Sequence, residues 1–312
     1  MIEPTRTLIA LENLDRTTLG RLLDAAEEFL GSDASTAFRD RLAGQAAALL
    51  FHEPSTRTRF SFELAAKRLG ADVLTFDTDT SSTTKGETLA DTLANLAAMG
   101  VQHFVLRHGE NGIMAELATT LPAHTTLVNA GEGTHSHPTQ GLLDALTIRL
   151  HRPEIERLTV AIVGDIAHSR VARSTIAALQ TLGVGSLRLV GPAAFLPAPG
   201  ELAGAATDNL AAGLDGADVV IALRIQRERM AVGNCPDAEE YHRRYGLNIE
   251  TLTAHAKPDV LLLHPGPVNW GVELDRELAR WPQSLMHEQV RHGVAVRMAV
   301  LETMAHSLAV HG

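Results

Sequence analysis

The chain alternates short apolar runs with longer segments whose apolar residues recur at helical spacing. In LDRTTLGRLLDAAEEFL, residues 14–30, Leu19, Leu22, Leu23, Ala26 and Leu30 share one helical face behind a Thr-rich start that can cap it. AAALLF, residues 46–51, has the length of a buried strand, and FSFELAAKRLG after it predicts a helix ending at Gly70. The alternation repeats with DVLTF as a strand, ETLADTLANLAAMG as a helix and VQHFVLRH as a strand. The strand-like run TLVNAGEGTHSHPTQ then leads into the helix GLLDALTIRL, where Leu142, Leu143, Leu146 and Leu150 form one face. A second series starts at RLTVAIVGDIAHSRVARSTIAALQTLG: a strand, a turn at Gly164 and Asp165, and a helix to Gly183. SLRLVGP, ADVVIALRIQRERM and PDVLLLHPGPVNWG add three strands, each ending in polar or turn residues. Between them AAFLPAPGELAGAA, residues 193–206, reads as a loosely specified connection. Toward the end, Val290, Val294, Met298, Leu301, Met304 and Leu308 follow one another by three or four residues, which predicts an amphipathic helix.

Strands separated by helices imply a parallel sheet flanked by helices, in which ligands collect at the carboxyl ends of the strands. The expected fold class is therefore α/β with two domains, each a parallel sheet flanked by helices. A boundary between residues 137 and 155 separates them, giving 1–136 plus 290–312 as one domain and 137–289 as the other. The C-terminal helix is expected to pack back on the first.

Composition narrows the function. Length 312 suits two domains at about 150 residues each. With 45% hydrophobic and 21% charged residues the chain is not mainly disordered. Only 4% is aromatic and the net charge is −10, so neither stacking on nor neutralising a nucleic acid is expected. One cysteine, Cys235, excludes an internal disulfide framework. The start MIEPTRTLIALENLDR lacks the basic region and long apolar core of a secretory signal, and no apolar run reaches the roughly 18 residues of a membrane span. A cytoplasmic protein without a membrane partner is expected.

Between the strand AAALLF and the helix after it lies FHEPSTRTRF, where Ser55, Thr56, Arg57, Thr58 and Arg59 place three hydroxyls and two guanidiniums in five residues. An ordinary capped helix start would account for the hydroxyls. The guanidiniums point further, because a helix N-terminus with unpaired N–H groups, hydroxyl donors and bidentate arginines suits a tetrahedral anion. In an acidic protein such a pocket must be built locally. Arg107 falls at the end of another strand. The pattern is not a Walker loop.

STRTRFSFELAAKRLGADV, followed in order by KGETLADT, VLRH, HPTQGLLD, HSRVARS, LRIQRERM and HPGPVN, resembles the transcarbamoylases, and within them the aspartate-specific catalytic chains. The motifs span about residues 50–275. The resemblance implies transfer of a carbamoyl group from carbamoyl phosphate to L-aspartate in pyrimidine synthesis, with no metal or organic cofactor. It implies that Ser55, Thr56, Arg57 and Thr58 hold the phosphate and that Arg107 bridges phosphate and carbonyl. His137 would donate to the carbonyl oxygen, while Gln140 and the backbone carbonyls around Pro265 and Gly266 orient the carbamoyl nitrogen. Arg170, Arg224 and Gln226 would hold the two carboxylates of aspartate, for which paired arginine forks are suited. The domains would then bind carbamoyl phosphate and aspartate respectively, closing to bring the second substrate to the first. Ser81 and Lys85 match residues that reach into a neighbouring subunit's site, with Lys85 also touching aspartate, which implies a homotrimer with shared active sites. A regulatory chain or a dihydroorotase is a possible further partner that the sequence does not choose. An ornithine enzyme should show an SMG-type motif and an HCLP segment where this chain has LRIQRERM and HPGP. A non-catalytic scaffold should lack the phosphate-loop arginine, His137 or Lys85, and all three are present.

One departure stands out: Trp270 occupies a place where relatives with a VN-x-GVE segment commonly carry arginine. Other features favour plain readings. His135 and His137 form an H-x-H pair without a Cys or carboxylate to complete a ligand set by spacing, so no metal is expected. VGDIAHSR has one glycine where a dinucleotide fingerprint needs three. His103 and His255 are expected to be satisfied core or surface residues, and Cys235 a loop thiol.

Overall fold

The computed structural model describes residues 6–31, 37–76, 87–225 and 237–311, with 76 and 309–311 as backbone only. Ser81, Lys85, Gln226 and Cys235 lie outside the described residues. The chain divides into two compact units, Met1–Leu143 with Arg291–Gly312, and Asp144–Val290.

In chain order the first unit contains β1 (Thr7–Leu8), α1 (Arg16–Gly31), β2 (Ala46–Phe51), α2 (Thr56–Arg68), β3 (Asp72–Phe76), α3 (Leu89–Ala98), β4 (Val101–His108), α4 (Ile113–Thr119), β5 (Thr126–Glu132) and the start of α5 (Pro138–His151). Its sheet has the order β1-β5-β4-β2-β3, every pairing parallel. Parallel strands covered on both faces read as unbroken apolar runs, and β2 and β5 are buried almost throughout. Ala48, Leu50, Phe104, Leu106 and Leu127 from three neighbouring strands form one core with Leu93, Met114 and Leu117 from the helices.

The second unit contains β6 (Thr159–Val163), α6 (Arg170–Thr181), β7 (Ser186–Val190), β8 (Ala205–Thr207), α7 (Leu210–Leu214), β9 (Val219–Ala222), α8 (Ala238–Tyr245), α9 (Ile249–His255), β10 (Leu261–Leu263) and the first residues of α10 (Met286–His311). Its parallel sheet has the order β10-β9-β6-β7-β8. Both units thus have the expected α/β build. The stretch 193–206 is more structured than its pattern suggests: it holds a 3-10 turn at Ala193–Phe195 and enters the edge strand β8, whose two alanines are exposed and leave no hydrophobic signal.

The part of α10 after residue 290 belongs to the first unit, where Glu302 accepts an ion pair from Arg41 at 2.9 Å. The expectation of an amphipathic helix fails for its middle, because every residue from His292 to Leu301 is buried, Arg297 included. Arg297 donates to the Gly293 carbonyl at 2.8 Å and lies 5.0 Å over the Phe62 ring, and burial holds its guanidinium down at about 9. A Cβ at Gly293 would stand 2.6 Å from that guanidinium, so the glycine makes room for it. Among the described residues no helix is long and apolar enough to cross a membrane.

Candidate active site

In the first unit the predicted residues converge on the carboxyl ends of three adjacent strands. β2 ends at Phe51, in register with Arg107 of β4, and His108 of β4 is in register with Glu132 of β5. From β2 the chain turns through His52, Glu53 and Pro54 to Ser55, the N-cap of α2. At the N-caps of α3, α6, α7, α8 and α9 a Thr, Ser, Asn or Asp side chain accepts a backbone N–H of its own helix. Ser55 makes no such cap hydrogen bond, and the first turn of α2 has no acidic residue. The positive end of that helix is therefore not capped by its serine, and its own first turn supplies no carboxylate to neutralise it. Arg57 is exposed and Thr58 is buried.

Arg107 is 7% exposed, which for a guanidinium demands built-in partners. It donates to the Ala130 carbonyl of β5 at 3.1 Å and lies 3.3 Å from the Glu53 carboxylate. His52 beside it is held below the ordinary imidazole range, first by burial and then by His108, whose ring centroid is 5.4 Å away. The neutral form of His52 is thereby favoured.

After β5 a tight loop delivers His137 and Gln140 to the start of α5. Glu132 is almost fully buried, accepts the Met114 N–H at 3.0 Å and pairs through its backbone with Ser136. Gly133 has φ 44°, and a Cβ there would stand 1.9 Å from the Asn111 amide oxygen, which accepts the Thr134 N–H at 2.9 Å. The His137 carbonyl accepts the N–H groups of Gln140 and Gly141 at 2.9 and 3.2 Å, so His137 stands at the head of α5. His137 and Gln140 are 4% and 8% exposed. Two helix starts and one buried arginine thus gather on one sheet edge, an arrangement suited to an anion with an attached carbonyl.

The second unit repeats the design with different side chains. β6, β9 and β10 are adjacent, with Val163 in register with Ala222 and Ile221 with Leu263. β6 turns at Gly164, φ 136°, where a Cβ would stand 2.9 Å from the Leu223 Cβ. The glycine therefore serves close approach of two strand ends rather than a dinucleotide. Ser169 caps α6 through the Ala172 N–H, and Arg170, buried to 5%, is the first residue of that helix. Arg224 follows β9 and is half-buried. Pro265 and Gly266 follow β10. Two cationic forks at the ends of neighbouring strands suit a ligand with two carboxylates.

Several supporting residues receive no role from the sequence alone. Glu53 is one, and the buried pair of His264, which opens the HPGPVN segment, with Glu273 is another, Nε2 lying 3.3 Å from the carboxylate. Trp270 is half-buried against the core containing Val220, Leu262 and Leu274, and Arg276 lies 5.9 Å over its ring. His135 is exposed while His137 is buried, and no group of three His, Cys, Asp or Glu among the described residues could hold a metal ion. His103 is a satisfied core residue between Thr126 and Gln45, and His255 is exposed.

Comparison with known proteins adds what geometry alone leaves open. The carbamoyl-P binding domain of the aspartate/ornithine carbamoyltransferases matches residues 6–150, and their Asp/Orn binding domain matches residues 156–304. The chain belongs to the aspartate/ornithine carbamoyltransferase family. It is 54% identical over 303 residues, 96% of each chain, to the aspartate carbamoyltransferase catalytic subunit of Stenotrophomonas maltophilia strain K279a. It is similar, at a TM-score of 0.83 and 28% identity over 95% of this chain and 94% of the other, to the Trypanosoma cruzi aspartate transcarbamoylase in complex with carbamoyl aspartate and phosphate. It is equally similar in shape, at 0.84 and 25% identity over 96% and 99%, to ornithine carbamoyltransferase from Thermus thermophilus. The family fold therefore does not choose the acceptor; the side chains must.

Proposed function

We propose that the protein transfers the carbamoyl group of carbamoyl phosphate to the α-amino group of L-aspartate, giving N-carbamoyl-L-aspartate and phosphate. The observation that carries this reading is the 54% identity, along 96% of both chains, to a relative named as the catalytic subunit of an aspartate carbamoyltransferase. The side chains support it. In our reading Ser55, Thr56, Arg57 and Thr58 hold the phosphate at the start of α2. Arg107 bridges it to the carbamoyl carbonyl, and His137 donates to that oxygen. Gln140 and the carbonyls around Pro265 and Gly266 receive the carbamoyl nitrogen. Arg170, Arg224 and Gln226 hold the two carboxylates of aspartate. The first unit, which runs to Leu143 rather than to the expected 136 and so keeps His137 and Gln140, serves carbamoyl phosphate, and the second, Asp144–Val290, serves aspartate.

The amine lone pair attacks the carbamoyl carbon, and negative charge builds on the carbonyl oxygen, where donors placed beforehand lower the barrier. The bond from that carbon to the phosphate oxygen then breaks, and the departing phosphate takes up the proton the nitrogen loses. No protein general base and no cofactor is needed for this balance. Positioning supplies the remainder.

The same reading makes the protein a cytoplasmic homotrimer in pyrimidine synthesis, with Ser81 and Lys85 serving a neighbour's site. Phe60 and Leu64, one helical turn apart on α2, and Leu74 on the edge strand β3 are all exposed large apolar residues. They support an interface there, since such side chains favour burial against a partner. Incubation with carbamoyl phosphate and aspartate, reading ureido product, tests the function; absence of product refutes it.

A further inference from the structure

We propose that His264, held in one tautomer by Glu273, locks the Pro265–Gly266 peptide so that the Pro265 carbonyl acts as an acceptor selective for the carbamoyl NH2. The inference rests on the proposed function, in which that carbonyl receives the carbamoyl nitrogen. His264 is the first residue after β10, and its side chain is fully buried. Its Nδ1 lies 2.8 Å from the Gly266 N–H and must accept that proton. A neutral imidazole whose Nδ1 accepts carries its own proton on Nε2. That proton faces Glu273 Oε1 at 3.3 Å, the same oxygen that accepts the Asn269 N–H at 2.6 Å. One carboxylate oxygen thus grips the loop at His264 and again five residues later.

The peptide joining Pro265 to Gly266 is planar and trans, so its N–H and C=O point in opposite directions. With the N–H turned inward onto His264, the Pro265 carbonyl is held facing away from the imidazole. Rotating it would leave a buried acceptor without its donor, a cost that resists the flip. The backbone of His264 is fixed in turn. Its N–H donates to the Gln289 amide oxygen at 2.9 Å, the Gln289 NH2 donates to Asp144 at 2.8 Å, and Asp144 accepts the Thr175 hydroxyl at 2.7 Å. Asp144, Thr175, Gln289 and Glu273 are all buried to within 2%. Buried polar groups that depend on one another in this way resist rearrangement of the loop.

A fixed carbonyl acceptor distinguishes carbamoyl phosphate, which offers an N–H, from acetyl phosphate, which offers a methyl group in its place. Two substitutions separate the lock from general support. His264→Asn puts its amide oxygen near the position of Nδ1 and keeps the bond to Gly266. His264→Gln reaches toward Glu273 instead and loses it. Dissociation constants for carbamoyl phosphate, acetyl phosphate and inorganic phosphate are measured on the full-length protein and both variants. We expect the Gln variant to bind carbamoyl phosphate about tenfold more weakly, the loss of one good hydrogen bond, with the other two ligands changed less than about twofold. The Asn variant should keep most of the preference. Equal losses for all three ligands, or equal behaviour of the two variants, would overturn the lock. A wild-type protein with no preference for carbamoyl over acetyl phosphate would instead sink the proposed function. A ¹⁵N spectrum of histidine-labelled wild-type protein checks the tautomer without relying on the Gln variant's folding. His264, assigned by its absence in the Asn variant, must be protonated at Nε2, and an Nδ1–H form overturns the inference.

Discussion

Acid should weaken the first unit through His103. This residue is fully buried on β4, four residues before Arg107, with Nδ1 3.0 Å from the Thr126 hydroxyl and Nε2 2.7 Å from the Gln45 amide oxygen. Burial lowers its pKa from the ordinary 6.5 to about 4. Above pH 6.5 the imidazole is neutral in folded and unfolded chains alike, and its contribution is intact. Between pH 6.5 and 4 the unfolded chain takes up a proton that the folded chain refuses, so stability is lost as pH falls. At about 1.4 kcal/mol per pKa unit the full loss is on the order of 3 kcal/mol, and about 2 kcal/mol of it should be gone by pH 5. Gln in place of His103 can bond Thr126 and Gln45 without titrating. Urea unfolding of wild type and His103→Gln at pH 7 and pH 5 isolates the effect, because every other titrating group is shared. Wild type should lose about 2 kcal/mol more than the variant over this interval. Parallel losses would refute the assignment of the acid sensitivity to a buried neutral imidazole.

Three further outcomes follow from the proposed roles. Arg57→Ala should lower turnover by about a thousandfold or more, in line with removal of a charge-stabilising donor, while its thermal midpoint stays near wild type because the side chain is exposed; near-normal activity would remove Arg57 from the phosphate site. Mixing inactive Lys85→Ala and Arg57→Ala chains, after dissociation and reassembly, should restore part of the activity if neighbouring subunits share sites, and self-sufficient subunits would yield none. Arg170→Met and Arg224→Met should each raise the KM for aspartate about tenfold or more, the loss of a charge-assisted fork, while equilibrium binding of carbamoyl phosphate holds; an unchanged KM would contradict the dicarboxylate reading.

The legible parts of this molecule are those whose signal is local. AAALLF could be read as a buried strand because β2 lies inside its sheet, and the STRTR segment as a strand-to-helix junction because its hydroxyl residues stand where α2 begins. β8 escaped because two of its three residues are exposed alanines, and the short helices α4, α7, α8 and α9 offer too few turns for a periodic face. In α10 the charge on Arg297 reads as a solvent face, yet it lies inside on Phe62. The same limit applies to the site. Arg107, Arg170 and Arg224 can be picked out as candidates by residue type, whereas the support of Arg107 by Glu53 and the chain from His264 through Gln289 and Asp144 to Thr175 join residues tens of positions apart, and Glu273 reaches back nine positions to His264. A fold shared with an ornithine enzyme shows why the acceptor must be read from such side chains.

The most direct test is therefore a comparison of acceptors: kcat/KM for ureido product formation from carbamoyl phosphate with L-aspartate and, separately, with L-ornithine. Turnover with aspartate and at most trace turnover with ornithine is the predicted result. Turnover with ornithine and none with aspartate would contradict it.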